Sequence, residues 1–583
     1  MDERTNPGPR LRGASGAARG EQEPVRLGQP GERLPAAATL VTEEGDELGA
    51  VTTLPRDLPF GYHRLVSDDG EQLLIVAPER CPRPQRRAWG WAAQLYAVRS
   101  AASWGIGDLA NLRDLGRWSS DHGAGFLLLN PLHAATPVVP WQPSPYFPST
   151  RRFRDPPYLR IEDVPGAAAL GERLRGLAAA GHGLNGERRI DRDRVAALKL
   201  AALDELWRAR PRDAHDGLAA YRADQGEPLN QWALFCTAAE VHGGRWASWP
   251  AALRDREPAA MAAFAAEHAH RLAFHAWLQW LLDEQLGRAT ESIGLIADLA
   301  VGFAPDGFDA WSWRQHLAAD TSIGAPPDAF NPLGQVWNLP PFDPQRLRAA
   351  GYRPFIETLR AVLRRAAGIR IDHVMGLFRL WWVANGADPK LGRYVRYPAG
   401  ELLAIVALEA HRANALVIGE DLGTVEPEVR GALARRGILS YRLMLFEGTD
   451  AGRYPELALA AITTHDLPTV AGLWTGADLR QQRAAGLEPN EAGARQLRAT
   501  LAELASAGAS ADEVILAAHA RLAGTPSLLV SATLEDALRV EERPNLPGTT
   551  EAQAANWSLA LPRSLEEIEA DPLVGRLATA LHR

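Results

Sequence analysis

The chain has 583 residues, an apolar fraction of 46% and a formal net charge of −8. That length exceeds one ordinary hydrophobic core and suits a large domain with insertions. The mild negative charge excludes nucleic acid or an anionic membrane as the main partner, and no apolar run approaches the roughly 18 residues of a membrane span. Only Cys81 and Cys236 occur, far apart, so neither a disulfide framework nor a zinc site is expected and a cytoplasmic location is. The 18 Trp, against 14 Phe and 10 Tyr, suit an enzyme that stacks indoles on sugar rings, although most are expected as core filler.

In chain order, residues 1–35 are rich in Gly, Pro, Arg and Glu without an apolar stretch, which predicts a disordered tail. Residues 36–85 turn strand-like, as in Leu73-Leu-Ile-Val-Ala77 after the turn-prone Asp68-Asp-Gly70, and predict a small β-rich region. Eight apolar runs follow within 86–583: Gln94 to Val98, Phe126 to Asn130, Ile293 to Asp298, Gly368 to Asp372, Leu416 to Glu420, Ile438 to Phe446, Leu459 to Asp466, and Ser527 to Ala532. Between most of them lie Ala-, Leu- and Arg-rich stretches with helical periodicity, for instance Arg393 to Arg412. Strands alternating with helices predict a parallel sheet, and eight of them predict a closed α/β (β/α)8 TIM barrel. The second and third runs are much further apart than a βα loop allows. A largely helical subdomain inserted near the mouth, roughly over 131–290, accounts for that gap.

Three runs end abruptly in a carboxylate: Gly368-Ile-Arg-Ile-Asp372, Leu416-Val-Ile-Gly-Glu420, and Ile462-Thr-Thr-His465-Asp466. A strand covered on both faces tolerates no unpaired charge inside it, so each charge belongs where the strand emerges. Three such ends describe the C-terminal mouth of a barrel, and paired carboxylates there point to glycosidic-bond chemistry. Arg370 and Asp372, two apart, face the same side of a strand, where a guanidinium keeps a carboxylate ionised as a nucleophile requires. A structural ion pair at a strand end explains that pair equally well. Glu420 beside another carboxylate would have a raised pKa and could protonate a leaving oxygen. For Asp421, capping of the following turn is the expectation.

These segments resemble the amylomaltases, or disproportionating enzymes, a family of 4-α-glucanotransferases related to the α-amylases. Further support comes from Ser103-Trp-Gly-Ile-Gly-Asp-Leu109, Asn130-Pro-Leu-His133, Ser144-Pro-Tyr146, Asp298-Leu299, Gly324-Ala-Pro-Pro-Asp328 through Gly334-Gln335 to Trp337, Arg543-Pro-Asn545-Leu-Pro547-Gly548-Thr549 and Asn556-Trp557. The resemblance implies a retaining double displacement on malto-oligosaccharides and other α-1,4-glucans. Asp372 would be the nucleophile, Glu420 the acid and base, and Asp466 the stabiliser of the distorted donor sugar. It also implies that Tyr146, Asp298, Arg370 and His465 line the donor subsite and that Trp337 lies on a mobile loop at the acceptor side. No cofactor and no metal are expected. One branch of the family has Asn after the third Asp, whereas Leu467-Pro468 follows here. An α-glucan hydrolase on the same barrel is the alternative, since only water or sugar reaching the intermediate separates the two; a catalytically dead glucan-binding protein ranks last.

Overall fold

The computed structural model describes residues 23–210, 216–327, 333–423, 425–506 and 508–582. Its centre is a closed barrel of eight parallel strands. In chain order they are Ala88–Ala93, Phe126–Leu129, Gly294–Leu299, Gly368–Ile371, Leu416–Gly419, Leu439–Leu443, Ala458–Ala461 and Leu529–Thr533. The ring closes where Val530 pairs with Trp89. Every residue of Phe126–Leu129, Gly368–Ile371 and Ala458–Ala461 is buried, as strands with helices outside and packed side chains inside must be.

Side chains alternate between two apolar clusters. Phe126, Leu128, Ile296 and Ile418 fill the barrel interior, while Leu127, Leu129 and Leu295 face the outer helices. The same period of two turns Ile369 and Ile371 outward, into a cluster with Leu359 and Val406. It therefore turns Arg370 towards the axis, and Asp298 follows Ile296 there.

The first barrel strand differs from the sequence reading. It is Ala88–Ala93, whereas Gln94 precedes a 3-10 turn over Leu95–Ala97. Within the strand the close pairing leaves no room for a side chain at Gly90: a Cβ there would lie 2.2 Å from the Phe126 carbonyl oxygen. The stretch Arg393 to Arg412 is likewise not one helix. Arg393–Arg396 is a strand and the helix is Ala399–Ala413, because Pro398 disfavours helical backbone just before it and is tolerated at a helix start.

The N-terminal sheet has the order Val25–Gly28, Gly70–Val76, Gly61–Ser67, Arg33–Val41, Glu47–Thr53. It begins inside the tail expected over 1–35, since Val25–Gly28 finds a parallel partner in Leu73–Val76; residues 1–22 lie outside the described residues. The sheet docks on the barrel helices. Val25, Ile75 and Cys81 join the cluster containing Ile356, Leu359 and Val406, and Tyr62 Oη donates to Glu409 Oε1 at 2.8 Å.

Between the second and third barrel strands stand the hairpin His133–Ala134 with Thr150–Arg154 and the helices Glu172–Gly183, Arg192–Ala209, Asp216–His242, Pro258–Glu267 and Ala269–Ala289. A four-stranded antiparallel sheet, ordered Gln335–Leu339, Thr321–Ala325, Arg379–Ala384, Arg393–Arg396, stands beside the barrel mouth. Among the described residues no helix is long and apolar enough to cross a membrane. Cys81 and Cys236 are buried and not disulfide-bonded.

Candidate active site

Asp372 and Glu420 each stand one residue past a barrel strand, so the ladder fixes their height. Asp372 N–H donates to Leu299 O at 3.1 Å and Glu420 N–H to Ile371 O at 3.0 Å. Arg370, on the axis, joins two carboxylates. Its Nη1 donates to both oxygens of Asp298, at 2.7 and 2.6 Å, and its Nη2 donates to Asp372 Oδ1 at 3.0 Å. The Tyr146 hydroxyl donates to Asp298 Oδ2 at 2.6 Å and lies 3.4 Å from His465 Nδ1.

Among the described residues Glu420 accepts two backbone hydrogen bonds. His373 N–H donates to Oε2 at 2.9 Å and Leu422 N–H to Oε1 at 2.7 Å. His373 itself adopts a left-handed conformation, φ 45°, where the chain turns away from the strand end. Gly419 leaves room for the Val374 side chain, which a Cβ would approach to 3.0 Å. Among the described residues Asp421 makes no side-chain bond to the turn that follows it; Arg430 of the next helix reaches it at 3.3 Å. Asp421 is buried and crosses to the next strand, accepting from Ser440 Oγ at 2.5 Å and Tyr441 N–H at 2.9 Å.

Asp466 lies further from its strand, on a segment closed by another loop. Asn545 Nδ2 donates to Asp466 Oδ1 at 2.7 Å, and Asn545 N–H donates to the His465 carbonyl at 3.1 Å. Arg543 Nη1 donates to the Asp466 carbonyl at 2.7 Å while its Nε and Nη2 hold Asp478 Oδ1 at 2.8 and 2.5 Å. Asn545, on another loop, thus supplies a side-chain amide to Asp466. Trp557, whose backbone is left-handed at φ 58°, places its ring 5.1 Å from both Tyr146 and His465.

The electrostatics follow from this geometry. Burial pushes the Asp372 carboxyl up to about 6; Arg370 opposes that rise while Asp298 and Glu420 add to it. Burial also raises Glu420, against Arg370 and the two N–H bonds. Asp466 goes the other way. Burial would raise it, but His465 and the Asn545 amide outweigh that and bring it to about 2. Burial would lower His465, yet Asp466 beside it raises it. The cavity lined by Tyr146, Asp298, Arg370 and His465 also reaches Glu535, just past the eighth strand, where burial pushes the carboxyl up to about 7.

The structure therefore brings Asp372, Glu420, Asp298, Arg370, Tyr146, His465 and Asp466 together at the C-terminal mouth. Trp337 stands nearby but on the strand Gln335–Leu339 rather than on a loop; its ring meets His373 edge-on at 5.5 Å and 86°. Asp328 lies outside the described residues. His373, Asn545, Trp557 and Glu535 had no assigned role in the sequence reading. Asn545 and Trp557 sit in motifs visible there, but their partners lie on other segments. Among the described residues no group of three or more His, Cys, Asp or Glu could hold a metal ion.

Residues 93–565 match the family model described as 4-alpha-glucanotransferase. The chain belongs to the 4-α-glucanotransferase family. A 4-alpha-glucanotransferase of Mycobacterium tuberculosis is 44% identical, over 91% of this chain and 80% of that protein. One from Haemophilus influenzae is 34% identical over 88% of this chain and 82% of its own length. The crystal structure of amylomaltase from Corynebacterium glutamicum superposes with a TM-score of 0.82 at 33% identity, covering 96% of this chain and 89% of that one.

Proposed function

We propose that this 4-α-glucanotransferase works by a retaining double displacement. Asp372 attacks the anomeric carbon of an α-1,4-glucan donor while Glu420 passes its proton to the glycosidic oxygen, and the glucan beyond that oxygen departs. The 4-hydroxyl of an acceptor glucan or glucose then attacks the same carbon. Glu420 takes its proton, Asp372 is released as a carboxylate, and two inversions give net retention. Asp466, with the lowest carboxyl pKa of the three, stays ionised to hold sugar hydroxyls and favour the oxocarbenium-like transition state. Tyr146, Asp298, Arg370 and His465 line the donor subsite, Trp337 the acceptor side, and no cofactor takes part.

One observation supports this division of labour best. Arg370 hydrogen-bonds Asp372, whereas Glu420 receives two backbone N–H donors, so the guanidinium touches the nucleophile, whose anion it stabilises, and not the acid. The hydrolase alternative uses the same groups with water as acceptor, and the family match does not favour it. We also place the enzyme in the cytoplasm, where two buried thiols need no oxidising partner.

The test is incubation of the pure protein with maltotriose in the presence of a chelator. Glucose and malto-oligosaccharides longer than the donor are expected. Products that are only shorter mean hydrolysis, and loss of activity on chelation means a metal takes part.

A further inference from the structure

The acid side of the cleft leads onto a surface that the chemistry above does not use. His373, whose N–H holds Glu420, has Trp337 against its ring on one flank. Beyond the turn Val374–Leu377 the chain enters the strand Arg379–Ala384, which starts at Arg379. Burial lowers the His373 pKa and the Arg379 charge lowers it further, opposed by Asp372. Arg379 reaches in two directions. Its Nη2 is 2.8 Å from Glu426, on the loop that follows Glu420, and its guanidinium lies 3.9 Å over the Tyr394 ring. Tyr394 in turn meets Trp381 edge-on, with ring centroids 4.9 Å apart at 72°.

Strand register explains why these side chains share a face. Trp381 is opposite Tyr394 on one side and Gly324 on the other. Their neighbours Ile323 and Trp382 are opposite each other and turn the other way, into a cluster with Leu339 and Leu380. Glycine at 324 leaves one flank of the indole without a cross-strand side chain. The ring itself is fixed: Nε1 donates to Pro389 O at 3.0 Å, and a Cβ on Gly392 would come within 2.3 Å of that nitrogen. Tyr394 remains 45% exposed and the neighbouring Leu391 78%. Rigid, half-exposed rings rimmed by Arg379 and Glu426 mark a ligand surface, and aromatic rings with polar edges suit the apolar faces and hydroxyl rims of sugars.

We propose that Trp381 and Tyr394, with Arg379 at the near end, form an outer platform for the part of a long α-1,4-glucan that extends beyond the leaving-group side of the cleft. Continuity with the acid's own loop argues the occupant: Glu426, on the segment that follows Glu420, meets Arg379, and Arg379 leads on to Tyr394 and Trp381. The inference rests on Glu420 being the general acid, because the acid marks the side on which the departing glucan and the incoming acceptor bind. Substrates of a few glucose units end inside the cleft, so the platform discriminates by length.

The experiment compares wild type with Trp381→Ala, Tyr394→Ser and the double variant, using maltotriose and short amylose as substrates. KM for short amylose should rise about tenfold more than KM for maltotriose, the scale of losing one or two buried apolar faces. KM values that change equally for both substrates, or not at all, overturn the platform. Circular dichroism and melting temperature check the fold. If Trp381→Ala does not fold, Tyr394→Ser, which removes a half-exposed ring, carries the same criterion. A wild type that makes no longer product from maltotriose sinks the proposed function instead, and does so before any variant is compared.

Discussion

Burial raises both Asp372 and Glu420 while Arg370 pulls both down, and the Glu420 charge adds to the rise at Asp372. The nucleophile must be ionised, so activity is present above the Asp372 pKa of about 6 and is lost as pH falls through it. Glu420→Gln removes the negative charge beside Asp372, so the Asp372 pKa should fall and the acid limb should move to lower pH. The profile is measured as kcat/KM with α-glucosyl fluoride, whose leaving group needs no proton. A limb that stays in place or moves up contradicts the coupling. The same variant should accumulate one glycosyl unit on the peptide containing Asp372. A label on Glu420 or Asp466 would reverse the roles, and turnover without any label would favour an inverting route. Asp372→Asn should cost orders of magnitude in transfer while the chain stays folded.

At the scale of elements, short stretches are held in place by residues from elsewhere. The segment carrying His465 and Asp466 is clamped through Arg543, itself anchored by the buried Asp478. Asp478→Asn weakens a charge-assisted anchor without removing volume. Transition-state stabilisation should suffer more than ground-state binding, so kcat is expected to fall about 10- to 100-fold with KM changed less. A rise in KM alone would make the clamp a substrate-binding support. The first barrel strand depends on Gly90 in a different way. Gly90→Ala drives a Cβ against the Phe126 carbonyl, and overpacking of that kind costs about 1–3 kcal/mol. Urea unfolding measures it, and a neutral result would mean that the strand pair shifts freely.

Over the whole molecule, the N-terminal sheet is part of the barrel's outer layer. Glu409, on the helix Ala399–Ala413, receives Tyr62 from the sheet and Arg360 from a neighbouring helix. Glu43 of the sheet meets Arg360 and Arg412. Glu409→Ala leaves the Tyr62 hydroxyl and Arg360 without their shared acceptor and should cost about 1–3 kcal/mol. Thermal melting checks this, and an unchanged melting temperature would show that the apolar contacts of Val25, Ile75 and Cys81 suffice alone.

The sequence by itself determined the barrel, because strands buried on both faces must be apolar and a charge at their end must mark the mouth. That argument located Asp372, Glu420 and Asp466, and the two-residue period predicted that Arg370 would face Asp372. It misread the first strand, taking Gln94 to Val98 where the barrel uses Ala88–Ala93, and the tail, where Val25–Gly28 becomes a strand only through its partner Leu73–Val76. The tertiary structure alone decided which distant groups meet. Asn545 on Asp466, Trp557 beside Tyr146 and His465, and Asp421 under Ser440 are contacts between segments far apart in the chain. Periodicity reports the environment of a strand or helix along its own length. Contacts between loops depend on where closure of the barrel brings their ends, and no local pattern encodes that.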